Sequence, residues 1–132
     1  MKLIVDFHTH IGLSRNDGAR QTLRDTLSGM RAFDVTHSLI FPIDEKNPGP
    51  SYRHLNGQIA RFTKRHRSLI GCARLDPNEP QASFREIEHA AQNGFRAVKF
   101  HPRSDQFGVG RAEPLFEAIA NYRLIVILHT GH

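Results

Sequence analysis

The sequence predicts an α/β fold built of parallel β-strand–α-helix units. Short apolar runs alternate with amphipathic stretches along the chain. The connections between them are short, which in a parallel sheet means right-handed crossovers. The strand-like runs are apolar on both faces, as expected of a sheet covered by helices.

The elements follow in order. Leu3 to His10 reads as the first strand. A helix follows from Asp17 or Gly18 to about Ala32, with Leu23, Leu27 and Met30 on one face at spacings of four and three. Ser38 to Ile43 is the second strand, ended by Pro42 and the turn-rich Asn47-Pro48-Gly49-Pro50. Ser51 to about His66 is the second helix, with Ser51 as its cap and Tyr52, Leu55, Ile59 and Phe62 as its face. Ser68 to Leu75 is the third strand, closed by Asp76-Pro77. Pro80 to Asn93 is the third helix, with Phe84, Ile87 and Ala91 facing in and Gly94 ending it. Phe95 to Pro102 is the fourth strand, followed by a polar loop from Arg103 to Gly110. The fourth helix spans Glu113 to about Tyr122, with Leu115, Ile119 and Tyr122 facing in. Leu124 to His129 is the fifth strand. No linker, low-complexity segment or repeat beyond the βα unit stands out.

Composition narrows the class. At 39% hydrophobic and 23% charged residues, the chain reads as a globular protein. Its 132 residues suit one domain but fall short of the ~250 typical of a complete (β/α)8 barrel. No run approaches the ~20 apolar residues of a membrane span. The chain opens directly on Leu3-Ile4-Val5 without signal-peptide architecture. The single cysteine, Cys72, lies in an apolar run and reads as a buried thiol, which fits a reducing, cytoplasmic setting. The net charge of +5 raises a nucleic-acid reading. The densest basic cluster, Arg61, Lys64, Arg65, His66 and Arg67, falls at a helix end and complements its dipole. No aromatic residues are interleaved with it, so neither a nucleic-acid nor a membrane partner is expected.

The nine histidines are more informative. His8 and His10 sit at the carboxyl end of the first strand, His101 ends the fourth, His129 ends the fifth, and His132 follows. Ligands of parallel α/β folds bind outside those strand ends. His54, His66 and His89 fall in helices, and His37 starts the second strand at the opposite edge. Residues two apart on a strand share a face, so the His8 and His10 imidazoles can converge on one ion. His129 would supply a third donor, and three protein ligands plus water is the pattern of a catalytic zinc. Asp6 has the same parity and would orient a ligand. Lys99 and His101 also share a face, which leaves Lys99 to bind an anionic substrate group, to bridge metals if carbamylated, or to reach solvent along its stem. Arg74 and Asp76 end the third strand, where they would meet substrate or each other.

Asp6-Phe7-His8-Thr9-His10 resembles the opening metal motif of the amidohydrolase superfamily. Gly71 to Pro77, Gly94 to Pro102 and Val126 to Gly131 resemble the third-, fourth- and fifth-strand segments of its amidohydrolase 2 branch, in the same order and spacing. The resemblance implies a metal-dependent TIM-barrel hydrolase, here a partial barrel of about five strands with four main helices. Residues 1–132 then form a single incomplete domain, truncated after the fifth strand. His8, His10 and His129 map onto metal ligands, with zinc the first expectation and manganese or another divalent ion as alternatives. Lys99, His101 and Arg74 become substrate-binding residues. The family's histidine after the sixth strand and its aspartate after the eighth have no counterpart here, so no catalytic proton shuttle is assigned. The implied chemistry is attack of a metal-bound water on an amide, ester or lactone carbonyl. Non-oxidative decarboxylation, known in the same branch, is one alternative. The other is a non-catalytic metal-binding half-barrel that forms homo-oligomers through its unclosed sheet edges.

Overall fold

The computed structural model describes residues 2–131, so His132 lies outside the described residues. Five strands run parallel: β1 (Val5–Leu13), β3 (His37–Pro42), β4 (Leu69–Arg74), β5 (Ala97–Phe100) and β6 (Ile125–Leu128). A sixth, β2 (Arg20–Gln21), pairs antiparallel with the end of β1 and gives the order β2-β1-β3-β4-β5-β6. The helices are α1 (Leu23–Ala32), α2 (Arg53–Arg65), α3 (Pro80–Gln92) and α4 (Glu113–Asn121). The α/β partial TIM barrel expected from the sequence is therefore the fold.

Side-chain alternation on the strands makes two cores. Ile40, Ala73, Val98 and Phe100 face the helices and pack with Ile59, Ile87, Leu115 and Ile119. Leu39, Phe41, Cys72 and Ala97 face the other way, joined by the half-buried Ile70 and Ile127. Cys72 is fully buried there, as its apolar run predicts. Gly71 faces the helix side, and a Cβ there would sit 2.3 Å from the Phe95 ring. Only glycine lets that ring close over β4.

Several local expectations need correction. The first helix starts at Leu23, because Thr22 forms a reciprocal capping box with Asp25 and ends the hairpin there. The preceding residues turn through Gly18 and form β2 instead. β1 continues three residues past His10 to meet that strand. Ser51 does not cap α2. It sits in a 3₁₀ turn, Pro50–Tyr52, with φ of +45°, and its buried hydroxyl pairs with Ser83 at 2.8 Å. Phe84 and Tyr122 are exposed rather than inward. The buried face of α3 is Ala82, Ser83, Glu86, Ile87 and Ala90, and α4 ends before Tyr122.

Candidate metal and substrate site

The site is built on a β-bulge. Asp6 pairs with Ser38 and Thr9 with Ile40, so two residues of β1, Phe7 and His8, stand opposite one residue of β3. A bulge re-aims the side chains beyond it. Asp6 holds it closed by accepting from the His8 backbone N–H at 3.0 Å and from the Thr9 hydroxyl at 2.8 Å. That hydroxyl also meets Ser38 at 2.6 Å. Asp6 thus orients His8 through the backbone, and the bulge interrupts the simple parity that joins it to the histidines.

His8 in the bulge and His10 just past it meet edge to face, with ring centroids 4.9 Å apart. Both pack on Phe41, at 5.2 and 4.7 Å. Burial, then the neighbouring His8 and Lys99, pushes the His10 pKa down to about 4. Burial and Lys99 lower His8 as well. Both rings are therefore held neutral at pH 7, the form that ligates metals.

His101 and His129 form a second imidazole pair, stacked at 3.8 Å with planes 12° apart. Burial, then His129 and Arg74, lowers His101 to about 4. Burial and Lys99 lower His129. The Nδ1 atom of His101 accepts from the Ser104 backbone N–H at 3.1 Å. The neutral ring then carries its proton on Nε2 and offers a donor there.

The donor set fits a divalent cation at His8 and His10, two neutral imidazoles on one strand. His129 lies near enough to lower the His8 pKa, yet its ring stacks on His101. Among the described residues, no three His, Cys, Asp or Glu side chains are gathered closely enough to hold an ion.

Lys99 lies beneath these rings on β5, 1% exposed. Its Nζ sits 5.1 Å over the Phe41 ring, and among the described residues no carboxylate pairs with it. Burial lowers its pKa. A buried cation without a counter-charge is costly, so this position favours an anionic ligand.

Arg74 is differently placed. Its guanidinium is buried and pairs with Asp105 at 3.1 Å. It lies 4.4 Å over the Tyr52 ring, and the Tyr52 hydroxyl also donates to Asp105. Asn56 fixes the Arg74 backbone, accepting from its N–H at 2.9 Å and donating to its carbonyl at 3.0 Å. The third-strand arginine thus meets Asp105 rather than Asp76, whose carboxylate accepts from the Asn78 N–H in a turn. Asp105, Tyr52 and Asn56 escaped the sequence reading. Asp105 lies in a loop without periodicity, and the other two looked like ordinary helix positions. His10, Arg74, His101, Arg103, Ser104 and His129 contribute to the wall of a cavity of about 750 Å³ at this edge.

Fold and site together define an α/β half-barrel of the TIM type whose imidazoles gather at the carboxyl edge of its strands. The amidohydrolase family profile matches residues 5–132, and the chain belongs to that family. Family members typically bind divalent metals. The crystal structure of Metarhizium anisopliae IDCase in apo form is similar in fold, with a TM-score of 0.73 at 16% identity over 96% of this chain. The chain spans 50% of the length of that neighbour. No curated protein matches the chain. Among the described residues, no helix is long and apolar enough to cross a membrane.

Proposed function

We propose that this chain carries part of the active site of a metal-dependent hydrolase of the amidohydrolase type, acting on a small-molecule amide, ester or lactone. The observation that carries the reading is the pair of neutral imidazoles on β1, His8 and His10, edge to face at an Asp6-tied bulge. His129 is the third donor in this reading. A divalent cation, zinc first and manganese or another ion as alternatives, would supply Lewis-acid polarisation of the carbonyl and activation of water. Lys99 places positive charge beside the imidazoles for an anionic substrate group. His101 offers its Nε2 proton to a substrate oxygen. Arg74, committed to Asp105, acts on substrate through its charge and by holding the loop that carries Arg103 and Ser104. The buried thiol of Cys72 supports a reducing, cytoplasmic setting.

One observation favours a second reading within the family. The unpaired, buried Lys99 suits a substrate carboxylate. A non-oxidative decarboxylase would use the same cavity. Metal analysis of the folded chain after reconstitution tests the site: about one divalent ion per chain is expected, and its loss in a His8→Ala/His10→Ala variant. A folded chain that takes up no metal overturns the proposal. A panel of amides, lactones and aromatic acids, scored for hydrolysis against carbon dioxide release, separates the two chemistries.

A further inference from the structure

The opposite edge of the sheet carries a second concavity of about 320 Å³ between the ends of α2 and α3 and the starts of β4 and β5. Lys64, Arg67 and Arg96 line it, together with the polar side chains of Thr63 and Asn93. No acidic residue does. None of the three cations belongs to an ion pair among the described residues. All three are exposed. A cavity at the carboxyl edge differs, with Asp76, Glu79 and Asp105 beside Arg15 in its wall.

Cations at a helix end need no ligand to explain them, since they offset the dipole. The magnitudes decide how far that goes here. Two helices end at this pocket, each contributing roughly −0.5 elementary charge. Against about −1 stand three full positive charges, which leaves a local excess of about +2. That excess sits in one concave site that all three line. Two of the three are arginines, whose forked donors match phosphate oxygens. The backbone at Gly94 is open, with nothing within 4 Å of the position a Cβ would take.

We infer that this pocket binds a phosphate dianion, either free phosphate or the phosphate of a small monoester. Lys64 and Arg67 approach it from the α2 end and Arg96 from the start of β5. Nothing in the proposal depends on the metal site, which lies at the other end of the strands.

Backbone amide NMR of the full chain tests it, with inorganic phosphate and adenosine monophosphate titrated separately at constant ionic strength. Saturable shifts at Ile70, Gly94 and Arg96 are expected, with the His8 and His10 amides unmoved. Stronger binding of the nucleotide would assign the site to an ester, and stronger binding of phosphate to the free ion. Arg67→Gln/Arg96→Gln should weaken binding at least about tenfold, the worth of one charge-assisted contact. Lys2→Gln, outside the pocket wall, should leave it unchanged. Thermal melts of each variant establish that it is folded, and Arg96→Lys replaces Arg96→Gln in the double variant should that one fail. Three results overturn the inference: shifts that do not saturate, shifts that chloride alone reproduces, or equal binding by the double variant.

Discussion

At the scale of single residues, the site is a set of imidazoles that folding keeps uncharged. Four histidines crowd one strand edge with Lys99 beneath them, and burial leads the lowering of each. The consequence for stability has a definite sign. His10 and His101 have folded pKa values near 4, against an ordinary value of 6.5. Above pH 6.5 both folded and unfolded chains hold these rings neutral, so the stability is full. Between pH 6.5 and about 4 the unfolded chain binds protons that the folded chain refuses, and stability falls. The metal-free chain should therefore melt about 5 °C or more lower at pH 5 than at pH 7.5. A His10→Gln/His101→Gln variant should lose most of that dependence. A wild-type melting temperature that stays flat over this range would show that these rings titrate normally. The sequence exposed the histidines by their spacing and strand-end positions. It did not expose the bulge, because Asp6, Thr9 and Ser38 form it through contacts between strands that no single stretch of chain encodes.

At the scale of elements, the loop between β5 and α4 is held by one buried cluster. Asp105 accepts from the Arg74 guanidinium, and both side chains are 3% exposed. It also accepts from Tyr52, and its backbone carbonyl accepts from the Asn78 side chain at 2.8 Å. One loop residue thus ties the end of β4, the turn before α2 and the turn after β4. Removing a single partner of a buried pair leaves an uncompensated charge, which costs far more than the pair contributes as a whole. Asp105→Ala should destabilise the chain by about 3–5 kcal/mol in urea denaturation. A cost below about 1 kcal/mol would place the pair among exposed ion pairs and release Arg74 for substrate. The helices and parallel strands were legible because their apolar periodicity is local. Departures came where tertiary contact overrode it. Thr22 moved the start of α1 by capping with Asp25. Ser51 turned inward to Ser83 instead of capping α2. The exposed Phe84 shows that a helical face can be misplaced by one position when small residues such as Ala82, Ser83 and Ala90 fill the contact, and Tyr122 is exposed because α4 ends before it.

At the scale of the whole molecule, burial across the sheet is uneven. β3, β4 and β5 are largely buried, while three of the four residues of β6 are exposed and Ile127 is half-buried. Ile125 is 55% exposed and Val126 40%. Among the described residues, β6 is the terminal strand of the sheet and pairs only with β5. On the other flank, β1 is covered by β2 only at Gly12 and Leu13, and Phe7 stands 56% exposed. An apolar, uncharged edge strand is a template for pairing, because its free N–H and C=O groups gain partners as its side chains leave water. No charged residue interrupts Ile125-Val126-Ile127-Leu128, and no proline does. The isolated chain should therefore self-associate through β6 in a concentration-dependent way. Val126→Lys places a charge in the middle of that edge without touching either imidazole pair. It should raise the concentration at which association sets in by about tenfold, the effect of losing ~1.4 kcal/mol of contact. Sedimentation velocity over a hundredfold concentration range reads both results. A wild-type chain that stays monomeric throughout would mean that the exposed strand is tolerated in solution, and equal association by Val126→Lys would place the contact at the β1 edge instead.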